Sequence, residues 1–145
     1  MSHLPAPANP PTWPRPSGFA NAMIGEGRIV AIAGQIGWDP ILKKLISADF
    51  VQQTRQALAN VSVALEAAGA KAENLIRLTW YITDRNAYLT NLKQIGEVYR
   101  EEIGNHYPAM SVVIVAGLIE HGAKVEIEAT AVLQSSVLPL SSAEL

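Results

Sequence analysis

The stretch between residues 125 and 131 alternates strictly between apolar and other side chains, and this pattern restricts the possible fold more than any other. Successive side chains of a β-strand point to opposite faces of a sheet. The apolar residues of the stretch therefore share one face, and Glu126, Glu128 and Thr130 share the other. Since Leu75 to Thr83 alternates in the same way, we predict a sheet with one dry face and one polar face.

Two stretches carry apolar residues at the spacing of an α-helix. Between Ser47 and Gly69, apolar side chains recur every three or four residues, which predicts a helix that Ser47 or Asp49 caps and Gly69 ends. A second stripe from Tyr88 to Ile103 predicts another helix, which ends at Gly104.

Further strands complete the predicted sheet. Phe19 to Ile24 and Ile29 to Ile36 flank the glycine-rich stretch 25–28, which predicts a β-hairpin. Ser111 to Val115 and Lys124 to Leu133 follow the second helix as strands. The order is therefore β-β-α-β-α-β-β, an α+β fold with a mixed sheet. Because βαβ crossovers are right-handed, both helices should cover one face of that sheet.

The two ends of the chain differ in composition from its middle. Six of the nine prolines fall within the first 16 residues, and proline favours extended conformations. We therefore predict a proline-rich arm over residues 1–16, a single domain over residues 17–133 and a serine-rich tail over residues 134–145. Trp13, within the arm, is either an anchor on a neighbouring subunit or an exposed aromatic side chain.

Composition also argues against several classes of function. With a formal net charge of −2, the chain lacks the basic surface that nucleic-acid binding needs, so we expect no nucleic-acid partner. No apolar run reaches the roughly 20 residues of a membrane-spanning helix, and no signal peptide is recognisable, so we expect a cytoplasmic protein without a membrane partner. No cysteine and three histidines predict no disulfide, no metal site and no cofactor.

Two motifs carry a resemblance to a known family. The first is Gly34-Gln35-Ile36-Gly37. The second consists of two segments, Pro108-Ala109-Met110-Ser111 and the later strand Val125-Glu126-Ile127-Glu128-Ala129. From Ser17 to Val132 the chain resembles the reactive-intermediate deaminase family, also called Rid or YjgF. The resemblance implies a chorismate-mutase-like fold, in which the sheets of a homotrimer form a barrel and a cleft lies at each subunit boundary. Such a trimer would cover the polar sheet face.

The resemblance also implies a site and a reaction. In typical family members, an arginine after Pro-Ala pairs with the substrate carboxylate. The first glutamate of the later strand positions a water that attacks an imine carbon, which yields a keto acid and ammonia. That glutamate is Glu126 here, but Met110 stands at the arginine position, and a thioether cannot form the bidentate pair.

Three more positions lose a polar group relative to the family. A tyrosine is replaced by Phe19, a serine by Ala33 and an asparagine by Leu92. We therefore expect a more apolar cleft and a small-molecule ligand of apolar or aromatic character, with backbone amides near Ser111 to hold developing negative charge. Glu126 is the predicted catalytic residue, and the predicted binding residues are Phe19, Ala33, Gly34, Leu92, Ala109, Met110 and Ser111.

Several assignments stay open on the sequence alone. Glu126 either lines the cleft as a general acid or base or pairs with Arg77 inside the barrel, and the same two interpretations apply to Glu128. Met110 either recognises an apolar ligand or fills a gap in an interface. His106 is either a proton carrier near the cleft or an exposed loop residue.

Three functions therefore remain. The first is an imine or enamine hydrolase with altered, more apolar substrate specificity. The second is a metabolite-binding or regulatory trimer without turnover. The third is a ribonuclease or translation inhibitor, as some members of the family are described, but the net charge of −2 argues against it.

Overall fold

The computed structural model describes residues 4–134. Within this range the chain forms three α-helices, eight β-strands and one 3-10 turn. The helices are α1 (Phe50–Ala67), α2 (Arg85–Thr90) and α3 (Leu92–Glu102). The strands are β1 (Ala6–Pro7), β2 (Met23–Ile24), β3 (Arg28–Ile36), β4 (Trp38–Asp39), β5 (Lys44–Leu45), β6 (Leu75–Ile82), β7 (Ala109–Ile114) and β8 (Val125–Leu133).

Four of these strands form one mixed sheet in the order β3-β8-β6-β7. β8 runs antiparallel to both β3 and β6, whereas β6 and β7 are parallel. α1 and α3 pack against each other over one face of this sheet, where Leu58, Leu78 and Ile127 are completely buried. The predicted α+β fold, with helices on one face of a mixed sheet, is confirmed.

The opposite face of the sheet carries the polar residues predicted for it. Arg77 of β6 lies beside Thr130 of β8, and Tyr81 lies beside Glu126. Arg77 is exposed, as is Glu128 between these two pairs. We call this the open face.

The predicted hairpin of residues 19–36 is wrong. β2 pairs with β1 instead of β3, and β3 pairs with β8. Residues 20–25 cross the end of the sheet, because Ala20 bridges the first residue of β7 whereas Gly25 packs against Val132 of β8. A segment that runs across the sheet cannot pair along its edge strand.

The proline-rich segment is attached to the rest of the chain. Besides the pairing of β1 with β2, the amide of Ala8 donates to the carbonyl of Ala22 at 2.9 Å. The side chain of Asn9 accepts the amide of Asn21 at 2.7 Å. Trp13 is 59% exposed in the single chain. The predicted tail, apart from its first residue, lies outside the described residues, and the division into arm, domain and tail stays a prediction.

α1 begins and ends as its sequence predicts, but the second predicted helix is two helices. The side chain of Asp49 caps α1 by accepting a backbone amide of its first turn at 3.0 Å, and Gly69, at a φ of 78°, follows its end. The second helix breaks at Asn91, which leaves the helical backbone conformation and donates its side-chain amide to the carbonyl of Ala87. α3 therefore starts afresh at Leu92.

The end of β3 passes very close to α1. Gly37 is buried there, and a Cβ atom on it would overlap the Cα of Gln53. Gln53 cannot move aside easily, because its buried side-chain amide donates to the carbonyls of Ser47 and Gly122 and accepts the amide of Lys124. Gly37 of the Gly-Gln-Ile-Gly motif thus serves close packing.

We predict that Gly37→Ala lowers the free energy of unfolding by about 1–3 kcal/mol, since the added methyl group must displace the backbone of α1. Gly117→Ala is the matched control, because open space surrounds Gly117 and its φ is not positive. Urea unfolding followed by circular dichroism measures both variants. Equal unfolding free energies for the two would contradict the prediction.

Candidate functional site

A groove of about 750 Å³ lies between α3 and the edge strand β7, on the helix-covered face of the sheet. Three predicted ligand-binding residues line it: Phe19 just before the crossing segment 20–25, Leu92 at the start of α3 and Met110 on β7. Met110 faces the helices because it lies beside buried Leu78 in the parallel register of β6 and β7. The groove thus unites three of the four positions at which the family's polar side chains are replaced, and Ala33 lies outside it.

Stacked aromatic rings form part of the groove wall. The ring of Tyr99 lies 5.2 Å from that of Tyr107, at an angle of 17° between their planes, and 6.4 Å from that of Trp80. The hydroxyl of Tyr99 donates to the carbonyl of His106 at 2.6 Å, and burial raises the pKa of Tyr99 well above its ordinary value. This wall stays neutral and suits a flat apolar group.

The predicted catalytic residue lies on the other side of the sheet. Glu126 is half-buried on the open face, and its carboxylate lies so close to Gly34 that a Cβ atom at residue 34 would overlap it. Gly34 falls where the register of β3 against β8 shifts, between Ile32 and Gln35. A bulge and a missing side chain together let the carboxylate approach the backbone of β3.

Glu128 is held by Tyr81. The hydroxyl of Tyr81 donates to Oε1 of Glu128 at 2.7 Å. This hydrogen bond first, and then burial and the charges of Glu128 and Glu126, raise the pKa of Tyr81. Among residues 4–134 of the single chain, Arg77 forms no ion pair with either glutamate, and their pairing inside a barrel stays a prediction.

Glu126 is the glutamate left without a partner. Within the described range no donor forms a hydrogen bond with its carboxylate, in contrast to that of Glu128. A half-buried carboxylate without a donor can accept a hydrogen bond from water or from a ligand. The geometry therefore separates a structural glutamate from one that is available for chemistry.

The remaining predicted residues lie on or near the open face. Ala109 and Ser111 alternate with Met110 on β7, beside Arg77 and Thr79 of β6, and so point away from the groove. Ala33 is exposed next to Gly34. The structure thus divides the predicted site into a groove group and an open-face group. Because the sheet separates them, a single chain cannot hold one ligand against both.

His106 has a structural contact that the sequence did not predict. Its Nε2 lies 2.8 Å from the carbonyl oxygen of Leu75, at the start of β6, and the residue is half-buried. The ring therefore ties the loop before β7 to β6. A freely exposed loop residue does not describe this position, and the role of a proton carrier near the cleft stays a prediction.

Gly96 and Arg100 of α3 are among the groove residues that sequence reasoning missed. Arg100 is the one charged residue among those described that line the groove. It lies beside the apolar stripe of α3, not in it, and periodicity does not single out such a residue. The sequence feature that could have pointed to this part of α3 is Gly96, since an isolated glycine within a helical pattern often has a packing or functional reason.

Two further properties concern the described part of the chain as a whole. In residues 4–134, no three histidine, aspartate or glutamate side chains come together to hold a metal ion. No helix in the same range combines the length and apolar character needed to cross a bilayer.

Comparisons with known proteins find relatives that match most of this chain. The family model described as endoribonuclease L-PSP matches residues 14–133. A RutC family protein of Pyrococcus horikoshii is 37% identical over 118 residues, which cover 81% of this chain and 90% of the relative. The human 2-iminobutanoate/2-iminopropanoate deaminase is 34% identical over 105 residues, which cover 72% of this chain and 73% of the enzyme.

A solved structure extends the comparison to the whole fold. The crystal structure of YyfB from Yersinia pestis, described as a member of the conserved Rid protein family, matches with a TM-score of 0.79 at 33% identity. The match covers 90% of this chain and 99% of YyfB. Since the family model matches most of the sequence and this structure shares its fold, the chain belongs to the Rid (YjgF) family.

Proposed function

We propose that this chain hydrolyses an imine or enamine in a cleft between two copies of itself, and that its substrate is more apolar than 2-iminobutanoate or 2-iminopropanoate. One observation carries the proposal: the groove that contains Met110 and the unpartnered carboxylate of Glu126 lie on opposite faces of one sheet. A site that uses both needs the groove of one copy and the glutamate of another.

A cyclic homotrimer meets this requirement. Three open faces turned toward a common axis would form a barrel and cover Tyr81 and Glu126. The edge strand β7 supports such a contact, because it exposes Val112, Val113 and Ile114 by 39–46%. Soluble proteins normally cover an apolar edge strand of this kind, and a neighbouring subunit would do so here.

In the assembled cleft Glu126 would act as the base. Water donates a proton to its carboxylate while the oxygen bonds to the imine carbon, and Glu126 returns that proton to the nitrogen, which gives an amino alcohol. The hydroxyl proton of the amino alcohol then passes to the nitrogen through the same carboxylate, the C–N bond breaks, ammonia leaves and a carbonyl product remains. β7 is an edge strand, so alternate amides near Ser111 point away from β6 and can hold negative charge that develops during the reaction.

The groove sets the preference for apolar substrates. Phe19, Leu92 and Met110 offer no hydrogen-bonding side chain for the small polar imines that the human relative's name describes. Aromatic and aliphatic walls favour a substrate that buries apolar surface.

A metabolite-binding trimer without turnover is the second candidate. Met110 favours this candidate. In typical family members an arginine at this position pairs with the substrate carboxylate, and Met110 cannot form that pair. Binding without hydrolysis would then be the whole function of the cleft.

The glutamate variant separates the two candidates. We predict that Glu126→Gln lowers the rate of hydrolysis of the phenylalanine-derived imine by about 100-fold or more, because the amide cannot take a proton from water. An amino-acid oxidase generates the imine, and semicarbazide trapping follows its loss. Glu128→Gln is the matched control and should keep most of the activity. If wild type and Glu126→Gln act at the same rate, the binding protein is favoured.

The methionine variant tests the change of specificity. We predict that Met110→Arg raises the rate of hydrolysis of 2-iminopropanoate by about tenfold or more, because the guanidinium restores a bidentate partner for its carboxylate. Met110→Leu controls for altered packing and should leave this rate unchanged. Wild-type activity toward 2-iminopropanoate that already equals that of Met110→Arg would sink the claim of altered specificity.

A further inference from the structure

Arg100 is the cation of the groove and has no partner of its own. It forms no hydrogen bond or ion pair with any residue of the range 4–134. The two acidic residues that follow it, Glu101 and Glu102, are both paired with Arg55 of α1. Arg100 therefore remains available to an anion that enters the groove.

Gly96 gives the guanidinium of Arg100 its position. A Cβ atom at residue 96 would lie 3.2 Å from Nη1 of Arg100 and 3.7 Å from Nη2, so the guanidinium lies across the helix at the glycine. Long side chains of a helix point back over the preceding turn, which places Arg100 over Gly96. Glycine is unfavourable inside a helix relative to alanine. Its presence where the guanidinium crosses leaves room for that group, and an alanine there would require the exposed guanidinium to shift by a few tenths of an ångström.

Trp80, which borders the groove, carries a second donor without a partner. The indole Nε1 of Trp80 is buried, and no acceptor within the described residues bonds to it. Trp80 is only 3% exposed and borders the groove. Buried donors are almost always paired in folded proteins, so this indole is an exception in the wall of the groove.

From these contacts we infer that the groove binds an aromatic carboxylic acid, with its carboxylate paired to Arg100 on α3 instead of to a residue at position 110. The inference deepens the proposed function and relies on it only in taking the groove as the ligand site. A guanidinium matches a carboxylate in shape and charge. The stacked rings of Tyr99 and Tyr107 provide the flat apolar surface.

The size of the groove agrees with this ligand class. A volume of about 750 Å³ falls within the range of sites that hold ligands of drug size, well beyond what a three-carbon imino acid fills. An aryl group with a short chain and a terminal carboxylate would occupy the aromatic wall and reach the guanidinium. The chemistry thus points to imines of aromatic amino acids, or to the aromatic acids related to them.

Isothermal titration calorimetry with the full chain tests the inference without turnover. The probes are hydrocinnamate, its neutral amide hydrocinnamamide, and benzylphosphonate. We expect wild type to bind the acid more tightly than the amide, and Arg100→Gln to weaken binding of the acid by about tenfold or more while changing that of the amide little. Arg85→Gln, which removes an exposed arginine outside the groove, should change neither.

Gly96→Ala provides a second variant that preserves the arginine. We expect it to weaken hydrocinnamate binding by displacing the guanidinium, yet to keep or raise the thermal midpoint of unfolding, because alanine favours the helix. If Gly96 served only the packing of α3, Gly96→Ala would not weaken binding of hydrocinnamate more than binding of hydrocinnamamide.

Three results would overturn the inference: no binding of hydrocinnamate to wild type, equal binding to wild type and Arg100→Gln, or tighter binding of benzylphosphonate than of hydrocinnamate. Failure of the hydrolase proposal looks different. In that case hydrocinnamate would bind through Arg100, whereas Glu126→Gln would leave every imine reaction unchanged.

Discussion

The two unlike faces of the four-stranded sheet determine both how this chain folds and where its site can form. One face is dry and is sealed by α1 and α3 over Leu78 and Ile127. The other presents Tyr81 and Glu126, and the apolar edge strand β7 adjoins it. Folding of one chain buries only the first face. Association and chemistry are therefore linked, because the same contact that covers the open face would bring a glutamate to a neighbouring groove.

Two glycines place the charged groups of the proposed cleft. Gly34 lets the carboxylate of Glu126 lie against β3, and Gly96 lets the guanidinium of Arg100 lie across α3. In both cases a missing Cβ atom leaves room for a charged side chain next to the backbone. In the proposed cleft Glu126 keeps the family's glutamate position, and Arg100 on α3 would supply the cation that Met110 on β7 does not.

Sequence patterns predicted the parts of the fold that local chemistry controls. The cap at Asp49, the end of α1 near Gly69 and the alternation along β8 were all readable, because each depends on neighbouring residues. The pairing of β2 with β1 could not be predicted in this way, since it depends on a segment that crosses the end of the sheet from β7 to β8. For the same reason the sequence placed Met110 and Glu126 in one cleft without showing that they face opposite ways, and periodicity did not single out Arg100.

The most direct test of a shared cleft is to mix two inactive variants, each of which retains the half that the other lacks. Glu126→Gln keeps the groove, and Met110→Trp blocks the groove but keeps the glutamate. After joint refolding at equal amounts, random assembly pairs an intact groove with an intact glutamate at about a quarter of the interfaces. We predict recovery of about that fraction of wild-type imine hydrolysis. Mixed oligomers that form but remain as inactive as the separate variants would contradict a cleft built from two copies.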